Sequence, residues 1–423
     1  MDKLVISGGH PLHGEVKISG SKNAALPLMA ACLLTEESCV LTNLPDLVDI
    51  QTMTELLAYL GVNVERNTDK ARIEASKPDG EAPYDIVRKM RASYYVLGPL
   101  LGRFREAKIS LPGGCAIGSR PIDLHIKGME KLGAEVAVEG GYVHAKAAKL
   151  EGADIHLRGT KGPSVGATVN VMMAAVLAKG TTRIIGAAAE PEVCIVAGFL
   201  NKMGAKISGY GTPEITIQGV KKLSGVEYEN IPDRIEAGTY AVAATITRGR
   251  IILRNAPSAH MGNIIQPLLE AGGEIEASGN HLTVSMMRRP SPLVINTAPY
   301  PGFPTDMQAQ FMAWLSLGEG TSIVSENIFE NRFMQAMELQ RMGAEINIQG
   351  TTAVINGTDH LSGAEVMASD LRASAALVLA GLAAKGTTTV SRIYHLDRGY
   401  EGLEQKLASI GGEIKRISAP EEE

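Results

Sequence analysis

Six times along the chain an apolar residue is followed by glycine and then by an alternating exit. The cases are Leu60-Gly61-Val62-Asn63-Val64, Leu132-Gly133-Ala134-Glu135-Val136, Met203-Gly204-Ala205-Lys206-Ile207, Ala271-Gly272-Gly273-Glu274-Ile275, Met342-Gly343-Ala344-Glu345-Ile346 and Ile410-Gly411-Gly412-Glu413-Ile414. Counted from the first glycine of each, the intervals are 72, 71, 68, 71 and 68 residues, the mark of one supersecondary unit written six times. Each glycine closes an amphipathic helix, as over 49–60, where Ile50, Met53, Leu56, Leu57 and Leu60 share a face. The alternating exit predicts a strand. Earlier in each unit stands another helix, as over 24–34, 170–178 and 373–384. It passes through a polar or glycine turn into a strand such as Thr181-Thr182-Arg183-Ile184-Ile185. The predicted unit is helix, strand, helix, strand, with a further strand between units.

The earlier helix of each unit is apolar nearly all round, as in Asn170-Val171-Met172-Met173-Ala174-Ala175-Val176-Leu177 and Ser374-Ala375-Ala376-Leu377-Val378-Leu379-Ala380-Gly381. A helix with no polar face has to be buried. Strands such as Glu214-Ile215-Thr216-Ile217-Gln218 alternate, as one-sided sheets do. The expected class is therefore α/β with helices inside and sheets outside, the reverse of a doubly wound fold. Six units divide as three plus three, joined at the polar run Tyr228-Glu229-Asn230-Ile231-Pro232-Asp233. This gives one domain over 21–229 and a second over 1–20 and 230–423. A strand at 3–19 has no place in the first unit and is expected to complete the second domain. The acidic tail 421–423 is expected to be disordered.

Composition narrows the function classes. Apolar residues make up 45% and charged ones 21% of 423 residues, ordinary for a globular protein and enough for more than one domain. A net charge of −5 argues against a nucleic-acid partner. No apolar run reaches membrane-spanning length and the start has no signal-peptide layout, so a cytoplasmic protein is expected. Four scattered cysteines without a CxxC pair predict neither disulfides nor a metal site.

The starts of the six buried helices carry Ser21-Lys22-Asn23, Arg91-Ala92-Ser93, Ser164-Val165-Gly166, Arg234-Ile235-Glu236, Thr305-Asp306 and Asp370-Leu371-Arg372. Ordinary N-capping accounts for Ser21, Ser164, Thr305 and Asp370. It does not account for Lys22, Arg91, Arg234 and Arg372, whose charge opposes the helix dipole, so an anion is expected beside them. Arg120, Arg332 and Arg398 flank second helices or their loops. If two three-unit domains face each other, these groups line one cleft, suited to a polyanionic substrate and one proton acceptor.

The segment Leu111-Pro112-Gly113-Gly114-Cys115-Ala116-Ile117-Gly118-Ser119-Arg120-Pro121 reads as an exposed, mobile loop around one thiol. Arg103, Arg105 and Arg120 nearby favour the thiolate. The same run also fits an incidental cysteine in a turn.

The sequence resembles the UDP-N-acetylglucosamine enolpyruvyl transferase family over essentially its whole length. The resemblance rests on Gly20-Ser21-Lys22-Asn23-Ala24-Ala25-Leu26-Pro27, the Cys115 loop through Leu124, Asp233-Arg234-Ile235-Glu236, Phe303-Pro304-Thr305-Asp306-Met307-Gln308-Ala309-Gln310, Glu330-Asn331-Arg332-Phe333, Ser369-Asp370-Leu371-Arg372-Ala373-Ser374 and Asp397-Arg398-Gly399-Tyr400. It implies two inside-out α/β barrel domains, each of three pseudo-symmetric repeats with buried helices and outer sheets, and an active site in the cleft between them. It implies transfer of the enolpyruvyl group of phosphoenolpyruvate to the 3-hydroxyl of UDP-N-acetylglucosamine, opening peptidoglycan precursor synthesis, with no metal and no organic cofactor. Lys22, Arg120 and Arg398 are implied around the phosphate, Arg332 and Arg372 near the carboxylate, and Asn23 in the same pocket. Arg91, Arg120, Pro121, Ile122, Asp123, Leu124, Ser164, Val165, Gly166, Asp306 and Ile328 are implied to contact UDP-N-acetylglucosamine. Asp306 is the implied base and Cys115 the implied proton donor, with a thiol open to a covalent adduct and to fosfomycin; Lys22 and Arg398 join them as catalytic. Where the family has a lysine two residues before the serine of Ser164-Val165-Gly166, this chain has Gly162, with Lys161 next before it. A monomer or weak homo-oligomer is expected.

Two other readings compete. A 5-enolpyruvylshikimate-3-phosphate synthase shares fold and phosphoenolpyruvate, but its Gly-Asn-Ala-Gly-Thr run is missing and it needs no Cys115 loop. For a non-catalytic clamp or regulator that binds a nucleotide sugar between two repeat domains, loss of Cys115, Asp306 or Arg398 would be the support, and all three are present.

Overall fold

The six repeat glycines all take positive φ, from 80° at Gly61 to 106° at Gly204. Around each, the glycine N–H and the next N–H turn back onto the last helical turn, as Gly133 N to Glu130 O at 2.9 Å and Ala134 N to Met129 O at 3.0 Å. This Schellman geometry uses the orphan carbonyls of the helix end and needs a residue without Cβ. The computed structural model in which this is seen describes residues 2–76, 81–82, 84–88, 90–111 and 122–418, apart from the side chains of residues 81 and 91.

Among the described residues six four-stranded sheets follow one plan. Among them, the short strand Val294–Asn296 runs parallel to Thr321–Ser325, which pairs antiparallel with Thr352–Asn356, and this in turn with Glu345–Gln349. The alternating exit after each glycine is thus the first arm of a hairpin. The repeat therefore has one more strand than the sequence pattern predicts: the arm that returns from the hairpin turn. The expected strand at 3–19 is two strands: Lys3–Ser7 joins Thr387–Ser391 and Glu413–Ile417, whereas His13–Lys17 joins Arg250–Arg254. Pro11, which has no N–H, stands in the break between them.

Helices Lys22–Ala31, Leu97–Phe104, Val165–Ala175, Arg234–Ile246, Gln308–Leu315 and Leu371–Ala383 are the buried ones; Arg234–Ile246 is buried at every residue. Strands alternate buried and exposed positions, as Glu214–Gln218 does. Helices inside and sheets outside is the expected inside-out α/β arrangement. Among the described residues the chain divides into two compact units, one of residues 20–111 and 122–231, the other of 2–19 and 232–418. Each has its own apolar core.

Close helix approach within the first unit depends on Gly98, where a Cβ would stand 2.2 Å from the Asn170 carbonyl oxygen. Its N–H donates to Asn170 Oδ1 at 2.8 Å, so the one side-chain amide of that helix is used to lock a neighbour.

Candidate functional site

Helix Lys22–Ala31 begins with Ser21 as N-cap, its hydroxyl accepting from Ala24 N at 3.4 Å. Lys22 Nζ meets Asp49 Oδ2 at 3.1 Å, with side-chain exposures of 12% and 4%. Asp49 lies in the first turn of helix Val48–Tyr59, where a carboxylate also suits the dipole. The anion expected beside Lys22 is thus supplied by the chain itself. Asp49 was not among the sequence candidates; its signal is a carboxylate at the start of an apolar helix face.

A second group of candidates gathers in the same unit. Helix Asp123–Lys131 starts beside helix Val165–Ala175, capped by Ser164, whose hydroxyl accepts from Ala167 N at 3.3 Å. Ile122, Leu124, Ser164, Val165 and Gly166 are partly exposed and Asp123 is exposed. A Cβ on Gly166 would stand 3.2 Å from the His125 ring, and one on Gly159 3.4 Å from Leu124 Cδ1. Gly159 belongs to a hairpin in which Arg158 pairs with Pro163 and Gly159 with Gly162. Gly162 takes φ 104°, which disfavours a lysine there and leaves Lys161 in the turn.

His125 Nδ1 is 3.1 Å from Asn170 Nδ2, and its ring lies tilted on Tyr94 at 5.9 Å between centroids. Asn170 Oδ1 already accepts from Gly98, so its amide donates to Nδ1 and the imidazole proton sits on Nε2. Burial lowers the His125 pKa to about 4, against a smaller upward pull from Asp123. An imidazole of ordinary pKa near 6.5 in the unfolded chain then takes up a proton there first. Its contribution to stability is full above pH ~6.5 and is lost as pH falls from there towards ~4. Tm is expected to drop between about pH 7 and pH 5 by more in the parent protein than in His125→Gln. Equal drops would show that His125 is not what the acid side of the profile reports.

The third group belongs to the other unit. Thr305–Met307 is a single 3-10 turn leading into helix Gln308–Leu315. Asp306 Oδ1 accepts from Arg332 Nη2 at 2.7 Å and Oδ2 from Arg372 Nη2 at 2.9 Å. The two arginine side chains are 6% and 4% exposed, and the carboxylate between them 26%. Burial alone would raise the Asp306 pKa, yet the guanidiniums of Arg372 and Arg332 hold it well below the usual carboxylate range. Arg372 is the second residue of helix Leu371–Ala383, whose N-cap Asp370 accepts from Arg372 N and Ala373 N at 2.9 and 3.1 Å.

Thr305 does not cap its helix as expected. Its hydroxyl accepts from Arg332 Nη1 at 2.8 Å and donates to Glu326 Oε2 at 2.8 Å. Glu326 Oε1 accepts from the N–H groups of Ile328 and Phe329, at 2.8 and 3.1 Å. This buried glutamate, which no sequence motif marks, therefore fixes the turn that carries Ile328. The fourth buried helix is capped by Asp233, which accepts from Ile235 N and Glu236 N, and Arg234 faces the Tyr300 ring at 5.8 Å.

Arg398 ends the 3-10 turn Ile393–Arg398 and is partly exposed. That turn is tied down by Asp397, whose two oxygens accept from Arg416 at 2.5 and 3.0 Å. Asn23 is partly exposed at the start of its helix. Cys115, Arg120 and Pro121 lie outside the described residues, as does the side chain of Arg91. The structure thus brings together Asp306, Arg332 and Arg372, and separately Ile122, Asp123 and Leu124 with Ser164, Val165 and Gly166. A carboxylate held ionised between two cations, next to a capped helix start, marks a place where an anionic substrate can compete for the guanidiniums.

Comparison with known proteins covers nearly all of the chain. Residues 6–407 match the family model described as EPSP synthase (3-phosphoshikimate 1-carboxyvinyltransferase). A UDP-N-acetylglucosamine 1-carboxyvinyltransferase of Methylacidiphilum infernorum is 54% identical over 417 residues, 99% of each chain. One of Granulibacter bethesdensis is 55% identical over 422 residues, 99% of this chain and 100% of the relative. Among solved structures, the enolpyruvyl transferase NikO from Streptomyces tendae superposes with a TM-score of 0.90 at 25% identity, covering 99% of both chains.

Proposed function

We propose, since the chain belongs to the EPSP synthase family and within it to the UDP-N-acetylglucosamine 1-carboxyvinyltransferases, that it transfers the enolpyruvyl group of phosphoenolpyruvate to the 3-hydroxyl of UDP-N-acetylglucosamine, with release of phosphate. The observation that carries this reading is Asp306 clamped between Arg332 and Arg372, in a chain more than half identical to transferases of that name.

The chemistry needs one base, one acid and a set of cations. The sugar hydroxyl gives its proton to Asp306 as its oxygen bonds to C2 of phosphoenolpyruvate, while Cys115 protonates the methylene C3. The tetrahedral adduct then loses phosphate from C2 and a proton from C3, which restores the double bond as an enol ether. Lys22, Arg120 and Arg398 take the phosphate charge, with Asn23 beside them. Arg332 and Arg372 take the carboxylate. Arg91, Arg120 through Leu124, Ser164 through Gly166, Asp306 and Ile328 hold the nucleotide sugar.

The Asp306 clamp adds a requirement to this scheme. A carboxylate whose pKa is strongly lowered is a poor base. The substrate carboxylate competes for the same two guanidiniums, and as it takes their hydrogen bonds it frees Asp306 to accept the hydroxyl proton. The base is thereby tied to the arrival of phosphoenolpyruvate.

The reaction is placed in the cytoplasm as the first committed step of peptidoglycan precursor synthesis, serving cell-wall growth, cell shape and division. The test is phosphate release from phosphoenolpyruvate with UDP-N-acetylglucosamine against shikimate 3-phosphate as acceptor. Release with the nucleotide sugar alone supports the reading; release with shikimate 3-phosphate alone, or with neither, overturns it.

A further inference from the structure

Below the arginine clamp lies a buried polar cluster that the reaction scheme does not use. The guanidinium carbon of Arg372 lies 5.4 Å from the ring centroid of Tyr400, which is 3% exposed. The Tyr400 hydroxyl lies 2.9 Å from Thr239 Oγ1 and 3.2 Å from Gln310 Nε2. Thr239 and Gln310 are buried in two other helices of the same unit, Arg234–Ile246 and Gln308–Leu315.

The direction of each hydrogen bond follows from what its neighbours already give. Thr239 Oγ1 donates to Ile235 O at 2.8 Å, so it accepts from Tyr400. Gln310 Nε2 donates to the Asp306 carbonyl oxygen at 2.9 Å and, with its other hydrogen, to Tyr400 and Thr239. The tyrosine proton is therefore committed to Thr239, and burial raises the pKa of that hydroxyl. Tyr400 is not an acid or base of the reaction.

The contacts close on themselves. Asp306 is held through its main chain by Gln310 and through its carboxylate by Arg372; Gln310 and Arg372 both rest on Tyr400. We infer that Tyr400 is a positioning residue, which fixes the Arg372 guanidinium and, with Gln310 and Thr239, the turn and carboxylate of Asp306. The physical basis is a guanidinium held 5.4 Å from the ring centroid and interacting with the ring hydroxyl in a water-poor site, where the ring cannot turn without breaking two hydrogen bonds. A fixed ring leaves Arg372 one place to point, whether its partner is Asp306 or a substrate carboxylate.

This inference rests on the proposed roles of Asp306 and Arg372, and its test keeps the two separable. Tyr400→Phe keeps the face and loses the hydroxyl; Tyr400→Leu loses both. Turnover with phosphoenolpyruvate and UDP-N-acetylglucosamine is expected to fall about threefold in Tyr400→Phe and at least tenfold in Tyr400→Leu, with a raised KM for phosphoenolpyruvate in the latter. The charged groups around Asp306 are Arg332 and Arg372, with Asp233 acting on Arg372 and Glu326 linked through Thr305. Loosening Arg372 relieves Asp306 of one cation in the free enzyme, so the acid limb of kcat/KM moves to higher pH in Tyr400→Leu.

A merely structural tyrosine would lower Tm without moving that limb or KM. The deciding measurement is the cycle with Arg372→Ala. If Tyr400 acts through Arg372, Tyr400→Leu changes turnover by less than twofold in the Arg372→Ala background. Independent, multiplying effects overturn the inference, as does a Tyr400→Leu enzyme with parental KM and pH profile. Arg372→Ala and Asp306→Asn enzymes of parental turnover would instead overturn the reading on which it rests. If Tyr400→Leu does not fold, the same cycle is run with Tyr400→Phe, for which a loss of less than 1.5-fold that is unchanged by Arg372→Ala counts against the inference.

Discussion

Asp306→Asn lowers turnover by roughly 10²–10⁴-fold, the range set by loss of a positioned general base. The amide keeps the shape of the side chain but leaves two buried guanidiniums without their anion, so Tm is expected to fall and turnover is compared at a temperature where both proteins are folded. Charge is what changes. Arg332 and Arg372, 6% and 4% exposed, lose the anion that neutralises them and become better partners for any other carboxylate. The KM for phosphoenolpyruvate is therefore expected to hold or fall while kcat collapses. A carboxylate competitor such as Asp306 has the opposite signature to a residue that merely binds substrate, whose loss raises KM. Steady-state phosphate release over a range of phosphoenolpyruvate concentrations reads both parameters. Turnover within threefold of the parent would remove Asp306 as the base.

Cys115→Ser is expected to lose turnover by a comparable factor, about 10²–10⁴-fold, since a hydroxyl is a far weaker acid than a thiol and proton delivery to carbon fails. Cys115→Asp retains activity, because a carboxyl can still deliver the proton. Cys115 lies outside the described residues, but the surroundings of the other thiols sharpen the labelling test. Cys32 and Cys39 are fully buried, and burial pushes the Cys32 thiol well up. A hydrogen bond from Cys32 lowers the Cys39 pKa, but with no exposed surface it offers no attack. Cys194 is partly exposed, yet burial raises its pKa, with Glu192 and Glu190 adding to the shift. Reactivity follows thiolate character and access together, so none of these three is expected to react readily. Fosfomycin is expected to modify a single peptide, the one containing Cys115, and to leave Cys115→Ser untouched. A modified peptide that holds Cys32, Cys39 or Cys194 would overturn the assignment of Cys115 as the reactive thiol.

Both predictions concern residues that stand out in the sequence by type and context, whereas what surrounds them does not. Asp306 is legible as a carboxylate at a helix start. Its partners are 26 and 66 residues away, and nothing local links them. The same holds for Lys22 and Asp49, which two different helices supply. The cations at helix starts point correctly to anions in the neighbourhood. That two of those anions are side chains of this chain is a fact of packing.

By itself the sequence determined the repeat, the buried helices and the helix ends that glycine closes. These depend on interactions within a few residues: a positive φ that glycine alone takes without cost, as at Gly61 and Gly204, and an apolar circumference that water cannot be allowed to reach. Tertiary structure decided which strand closes which sheet, giving Lys3–Ser7 and His13–Lys17 to different sheets, since an alternating strand fits any open edge equally well until the ring around it is built. It also decided the protonation chemistry of the site. The charge on Asp306 and the tautomer of His125 depend on burial and on partners tens of residues away. Only folding can bring those together, because electrostatic energy depends on distance in space and on access of water, neither of which order along the chain records.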